Sequence, residues 1–256
     1  LSSAVRVASL GSGSRGNATL IQGGGACVLV DCGFSIRETK RRLAALDMDP
    51  GALTAVLVTH EHSDHLGGVL PLARRYQLPV YMTAGTARAA QPGRHDALHI
   101  IGSGERIAIG DLDVEAVAVP HDAREPVQYI FASAGVSFGM LTDLGNITPH
   151  VVDRYRHCQG LLLEANHDRD LLAAGPYPPG LKRRVGGDWG HLSNCQAAGF
   201  LRHLAGSALH TLVVGHLSQQ NNTPAHVREA LAPVTGGLEQ TLYADQDAGF
   251  GWLTLS

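Results

Sequence analysis

Residues 59–65 read Thr-His-Glu-His-Ser-Asp-His. Four potential metal ligands, His60, His62, Asp64 and His65, fall within this run, and the apolar segment Ala55-Val-Leu-Val-Thr59 leads straight into them as a buried strand. Neutral imidazole nitrogens and carboxylate oxygens are the ligands that first-row divalent metals take from proteins. Side chains alternate on an extended segment, so His60 and His62 point the same way. Ser63 and Gly67-Gly68 supply loop chemistry, so Asp64 and His65 follow in a turn and swing toward a neighbouring position. The alternative, a polar loop rich in histidine by chance, explains this density poorly. The segment points to metal, and to more than one ion.

The chain has 256 residues, enough for one large domain or two small ones with a buried core. The formal net charge of −3 advertises no global basic field for nucleic acid, although local patches matter more. No apolar run approaches the ~20 residues a membrane helix needs. The start, Leu1-Ser-Ser-Ala-Val-Arg-Val, shows no secretory pattern, so the expectation is a cytoplasmic protein with no membrane partner. Cys27, Cys32, Cys158 and Cys195 fit neither a zinc clip nor a disulfide framework and are expected to be reduced, buried thiols. Cys27 and Cys32, five apart across a strand end, are expected to face opposite sides.

Alternation and apolar runs predict strands at 5–9, 18–21, 27–31, 80–83, 107–109, 112–119, 128–131, 136–141, 161–164, 211–214, 240–243 and 250–255. Helices are expected over 35–46, where Ser35 and Glu38 make a capping-box pattern, and near 69–76, 86–90, 149–157, 195–204 and 224–231. No linker, repeat or low-complexity stretch separates two strand-rich halves. The pattern predicts two packed sheets with helices outside, an α/β sandwich forming a single domain over 1–256.

Four ligands in one loop cannot close two metal shells. The rest should sit where other strands end, since loops there carry function. His121 follows the strand at 112–119, Asp143 follows the one at 136–141, and His216 follows the one at 211–214. Each alone reads equally well as a surface loop residue; together they do not. His191, in Gly-His-Leu-Ser-Asn194, and Glu164, ending Leu161-Leu-Leu163, are candidates for a proton-donating pair. Lys182-Arg183-Arg184 is a local basic cluster suited to a phosphate backbone, or a solvated turn. Ser14, Gly16 and Asn17 lie in a glycine-rich loop whose amides could cradle a phosphate, or which is simply a tight turn. Asn221 and Asn222 are open between substrate contact and capping of the helix at Pro224.

The ordered set His60, His62, Asp64, His65, His121, Asp143 and His216 resembles the signature of the metallo-β-lactamase fold superfamily over essentially the whole chain. Ser12–Asn17, Val30-Asp-Cys-Gly33, the 59–65 run, Glu164-Ala-Asn-His-Asp168, Leu181–Val185, Gly190–Asn194 and His216-Leu-Ser-Gln-Gln-Asn-Asn222 are similar to its YycJ/WalJ (VicX) subgroup of bacterial nucleases, related to ribonuclease Z. That resemblance implies an αββα sandwich and a dinuclear-metal-dependent phosphodiesterase in which the ions activate water, a 5′-to-3′ DNA exonuclease linked to mismatch repair. It implies His60, His62 and His121 on one ion, Asp64, His65 and His216 on the other, Asp143 bridging, and Glu164 with His191 as the proton relay. Asp64 would also orient the attacking water. Lys182, Arg183, Arg184, Ser14, Asn17 and Asn221 are the substrate-contact candidates. An all-nitrogen-and-oxygen ligand set suits Zn or Mn first, and Fe after them. The competing readings are a small-molecule phosphodiester or thioester hydrolase on the same scaffold, and a non-catalytic metal-stabilised regulatory protein. The sequence leaves room for a homo-oligomer.

Overall fold

A computed structural model describes residues 5–255. The strands are β1 (Val5–Gly11), β2 (Ala18–Gly23), β3 (Ala26–Val30), β4 (Ala55–Leu57), β5 (Val80–Thr83), β6 (Leu98–Ile101), β7 (Arg106–Ile109), β8 (Leu112–Ala118), β9 (Val127–Ser133), β10 (Val136–Leu141), β11 (Gly160–Glu164), β12 (Thr211–Gly215), β13 (Gln240–Tyr243) and β14 (Phe250–Leu255). The helices are α1 (Ile36–Ala44), α2 (Ser63–Leu66), α3 (Val69–Tyr76), α4 (Ala84–Ala90), α5 (Pro149–Tyr155), α6 (Arg169–Ala174), α7 (Pro179–Val185), α8 (Asn194–His203) and α9 (Pro224–Thr235). Among the described residues the strands form two mixed seven-stranded sheets, in the orders β14-β1-β2-β3-β4-β5-β6 and β13-β12-β11-β10-β9-β8-β7.

The chain divides into two compact units. The first takes the chain up to Ala118, Ala123–Ser137, and the chain from Ala244 onward; the second takes Val119–Asp122 and Phe138–Tyr243. In the first unit, β3, β4, β5 and β6 run parallel. Ala8, Leu10, Leu20, Leu29, Val56 and Met82 pack with Leu43 of α1 and Leu72 of α3 in one buried cluster. Each fully buried aliphatic side chain of this kind contributes about 1.5–3 kcal/mol relative to exposure. In the second unit, β10, β11, β12 and β13 are parallel, with Leu141 opposite Leu163 and Glu164 opposite Gly215. The runs Leu161-Leu-Leu163 and Leu212-Val-Val214 are apolar throughout because these strands are buried on both faces.

The parallel strands explain where the polar residues go. In each unit the carboxyl ends of neighbouring parallel strands lie at one sheet edge. Asp31 follows β3 and His60 follows β4 in the first unit; Asp143, Glu164 and His216 end β10, β11 and β12 in the second. Asp31, Asp143 and His216 all take left-handed backbone conformations, with φ of 59°, 55° and 53°. Non-glycine residues held there cost of order 1–3 kcal/mol and cluster at functional sites.

Several expectations need correction. Asp64 and His65 sit in the short helix α2, not a simple turn. Helices α6 and α7 and strand β6 were not expected. Ser35 caps α1, accepting from the Glu38 amide, but Glu38 does not complete the box. Its carboxylate is drawn to Arg41 and Arg42, which hold its pKa down to about 2. The full capping box belongs to α8, between Ser193 and Gln196. Cys27 and Cys32 do not face opposite sides: both join the same core cluster, because the left-handed Asp31 breaks the alternation between them. All four cysteines are free, and Cys195 is exposed rather than buried.

Candidate metal centre

In the first unit the motif loop is gripped from β9. The Tyr129 hydroxyl donates to the Val58 carbonyl (2.8 Å), and the Val127 amide donates to the Thr59 carbonyl (3.1 Å). Glu61 accepts the Arg124 amide at 2.9 Å. Two glycines permit the close approach of the Asp31–Phe34 turn. A Cβ on Gly33 would lie 2.0 Å from the Asp64 carbonyl oxygen, and one on Gly68 would lie 1.8 Å from that of Phe34.

The buried Asp31 carboxylate organises the imidazoles. Its Oδ1 accepts the Thr59 amide (2.8 Å); its Oδ2 accepts the Thr59 hydroxyl (2.7 Å) and the His65 Nδ1–H (2.8 Å). A carboxylate only accepts, so His65 carries its proton on Nδ1 and presents Nε2 as a lone pair. Asn17 Nδ2 donates to that atom at 3.0 Å. The Thr59 hydroxyl proton is committed to Asp31, so Thr59 Oγ1 accepts from His60 Nδ1 (2.9 Å), and His60 Nε2 is likewise a lone pair. His60 Nε2 lies 3.0 Å from His62 Nδ1, and His65 Nε2 lies 3.5 Å from Asp64 Oδ2. His60 and His65 are fully buried. Acceptor nitrogens turned toward a carboxylate in a buried setting are what a divalent cation reconciles, so this donor set fits metal.

Asp31 had no assigned role in the sequence beyond its place in Val30-Asp-Cys-Gly33. Asp31→Asn would offer an amide NH₂ or a weaker acceptor in place of a charge that fixes two imidazoles. Metal affinity should fall about 10- to 100-fold, as for other partners that orient ligands. Competition with a chelator of known affinity measures this; unchanged affinity would exclude the orienting role.

In the second unit, ligand atoms of Asp143, Glu164, His191 and His216 lie within 4.8 Å of one another. Glu164 is wholly buried. Its Oε1 accepts the Leu192 amide (2.6 Å); its Oε2 accepts the Asp143 amide and His191 Nδ1–H, both at 2.9 Å. Burial opposes a charge on His191, but the field and hydrogen bond of Glu164, with Asp143 and Asp122 behind them, raise its pKa to about 9. His216 Nδ1 stands 3.0 Å from Asp143 Oδ2. His121 Nδ1 donates to the Gly190 carbonyl at 3.0 Å, which leaves Nε2 as the nitrogen with a lone pair that could bind a metal. Burial lowers the His121 pKa despite Asp143, which favours the neutral ring that a metal takes. Among the described residues, no cysteine joins any of these clusters.

His167 behaves differently. It is buried, its Nδ1 has no hydrogen-bond partner, and burial pushes its pKa down to about 4. With the folded value below the unfolded one of about 6.5, its contribution to stability is full above pH ~6.5 and is lost as pH falls toward 4. The loss amounts to no more than about 3 kcal/mol. Urea unfolding of wild type and His167→Gln across this range tests it: the wild-type slope should flatten in the variant, and parallel curves would contradict the assignment.

The substrate candidates are unevenly placed. Ser14 is exposed, but the loop amides are already engaged: Gly13 donates to Asn17 Oδ1 (2.8 Å) and Arg15 to Gln246 Oε1 (2.9 Å). The tight-turn account of this loop is therefore the better one. Asn17 bonds Asp64 and His65 rather than facing solvent. Asn221 is fully buried, Asn222 pairs with Asn194, and Thr223 caps α9 in place of either asparagine. In α7, Lys182 donates to the Ala173 carbonyl, Arg184 pairs with Asp122, and Arg183 is exposed.

The family model described as the beta-lactamase superfamily domain matches residues 27–216. The chain belongs to that superfamily. It is 36% identical over 219 residues to the exodeoxyribonuclease WalJ of Streptococcus pneumoniae (serotype 2, strain D39), covering 83% of this chain and 81% of that protein. It is 32% identical over 236 residues to the exodeoxyribonuclease YycJ of Bacillus anthracis, covering 88% and 87%. Zn²⁺-bound PqqB from Methylobacterium extorquens shares the fold, with a TM-score of 0.75 at 19% identity over 98% of this chain and 99% of that one. The superfamily fold expected from the motif order is thus the fold observed.

Proposed function

We propose that this protein is a metal-dependent exodeoxyribonuclease, working on DNA from the 5′ end, with the whole chain acting as one hydrolase domain. What carries this reading is the similarity to the WalJ and YycJ exodeoxyribonucleases over more than four fifths of the chain. The Glu164–His191 pair supports it. By the superfamily pattern, His60, His62 and His121 would hold one divalent ion, Asp64, His65 and His216 a second, and Asp143 would bridge. Two such ions polarise a phosphodiester and make water a nucleophile near neutral pH. Zn and Mn suit the donor set best, with Fe after them.

The remaining steps belong to the protein's own groups. Asp31 and Thr59 hold His65 and His60 in the tautomers that present Nε2 as an acceptor lone pair. Asp64 would orient the attacking water. Glu164 holds His191 by Nδ1, so a protonated His191 has its Nε2–H to give to the departing sugar oxygen. Arg183, rather than Arg184 which pairs with Asp122, would meet a backbone phosphate. No helix among the described residues is long and apolar enough to cross a membrane; with free cysteines, this suits a cytoplasmic enzyme.

The test is a panel of 5′- and 3′-labelled single-stranded DNA, duplex DNA and RNA with protein loaded with Mn or Zn. Mononucleotides released from the 5′ end of DNA are expected. Turnover of bis-p-nitrophenyl phosphate with no nucleic acid cleaved would favour the small-phosphodiester reading instead.

A further inference from the structure

Trp189 is 63% exposed, while the chain's other tryptophan, Trp252, lies under the Arg6 guanidinium and donates its indole N–H to the Leu46 carbonyl. Among the described residues, no ring contact or hydrogen bond engages the Trp189 indole. A large aromatic left in water is a common mark of a binding surface.

The backbone that carries Trp189 is held firmly. Residues 186–190 fold back over the last turn of α7: the Gly190 amide donates to the Gly187 carbonyl (2.9 Å), and the His191 amide to the Val185 carbonyl (2.8 Å). A Cβ on Gly190 would lie 2.1 Å from the Arg184 carbonyl oxygen. On the other side, a Cβ on Gly145 would lie 2.5 Å from the Gly190 nitrogen. The same turn delivers two groups of the site. The Gly190 carbonyl orients His121, and His191 is held by Glu164. Trp189 thus sits one residue from a group that fixes a candidate ligand and two residues from the candidate proton donor. On its amino-terminal side the turn leaves α7, whose sequence Pro-Gly-Leu-Lys-Arg-Arg-Val contains three cations and no acid. Arg184 spends its charge on Asp122, but Arg183 makes no ion pair among the described residues.

We infer that Trp189 is a stacking platform for a base of the DNA strand, with Arg183 holding a backbone phosphate of the same strand. The inference rests on the exodeoxyribonuclease reading and deepens it. An exposed π face on the turn that leaves a cationic helix supplies the two elements with which proteins hold single strands without reading sequence, since every base has a face to stack. A pinned turn gives that platform a fixed position along the chain relative to His191, so stacking would register the strand end for cleavage.

The test uses single-stranded oligodeoxynucleotides and metal-loaded protein. Trp189→Ala should raise KM roughly tenfold, the order that alanine substitution of a stacking aromatic gives, with the loss falling on KM more than on kcat. Trp189→Phe, which can still stack, should restore most of it. Arg183→Ala should raise KM and reduce its salt dependence by about one phosphate contact. A phosphorothioate oligonucleotide should quench the wild-type tryptophan fluorescence, and the quench should vanish in Trp189→Phe. An unchanged KM in Trp189→Ala, or a quench that survives in Trp189→Phe, overturns the platform. Wild-type protein that cleaves no DNA defeats the exodeoxyribonuclease reading instead; the quench then reads strand binding by itself.

Discussion

Asp143→Asn is expected to lose at least one metal ion per chain and about three orders of magnitude in kcat on DNA. Asp143 is buried at the end of β10, its amide is held by Glu164, and its carboxylate oxygens lie 3.0 Å from His216 Nδ1 and 3.7 Å from His191 Nδ1. Asparagine keeps the volume and tolerates the left-handed backbone at φ 55°, so the variant removes little but the charge. If Asp143 bridges two cations as the proposed function has it, a neutral amide in its place loses several kcal/mol of charge stabilisation, and about 4 kcal/mol is a thousandfold in rate. Metal content by mass spectrometry and kcat on labelled DNA measure the two effects together. Full metal content with wild-type turnover would show that Asp143 has no part in the centre.

His191→Ala should behave in a different way. It should keep its metal and lose about 10²- to 10⁴-fold in kcat on DNA, the usual range for a positioned proton donor. The departing group in DNA is a sugar alkoxide, which needs a proton. The p-nitrophenolate of bis-p-nitrophenyl phosphate does not, so the same variant should turn over that substrate with a far smaller loss. Glu164→Gln should follow the same pattern, because Glu164 raises the His191 pKa and holds its Nδ1. Equal losses on both substrates would mean that His191 acts by some route other than proton donation.

The parts of the site that were legible in the chain are those written locally. His60, His62, Asp64 and His65 share one short segment, and Asp143, Glu164 and His216 each end an apolar strand, so position along the chain was enough to mark them. Asp31 and Thr59 were not legible. Their role depends on β3 lying beside β4, which brings the Asp31 carboxylate to the Thr59 amide and to His65. The contribution of Gly190 is a carbonyl, which any residue carries, and its position follows from the fold-back onto α7. The role of Glu61 is hidden in the same way, since its partner Arg124 is distant in sequence.

The missed elements have physical causes too. No residue of α7 is buried, so it has no apolar face to give a helical period. Helix α2 has four residues, too few for any period to show. Strand β6, with its two middle residues exposed, is an edge strand that lacks the apolar run of its neighbours. The long, regular cores of β3, β11 and β12 were readable because burial on both faces demands apolar residues throughout.

If divalent ions bound at these residues cleave DNA, activity must follow bound metal when the protein is stripped and Mn or Zn is added back in measured steps, with bound metal and release of labelled nucleotide from 5′-labelled DNA read in the same samples. No cleavage by stripped protein, and activity that rises until two ions are bound per chain and then levels, is the expected result. Cleavage by fully stripped protein, or none at two bound ions per chain, would contradict it.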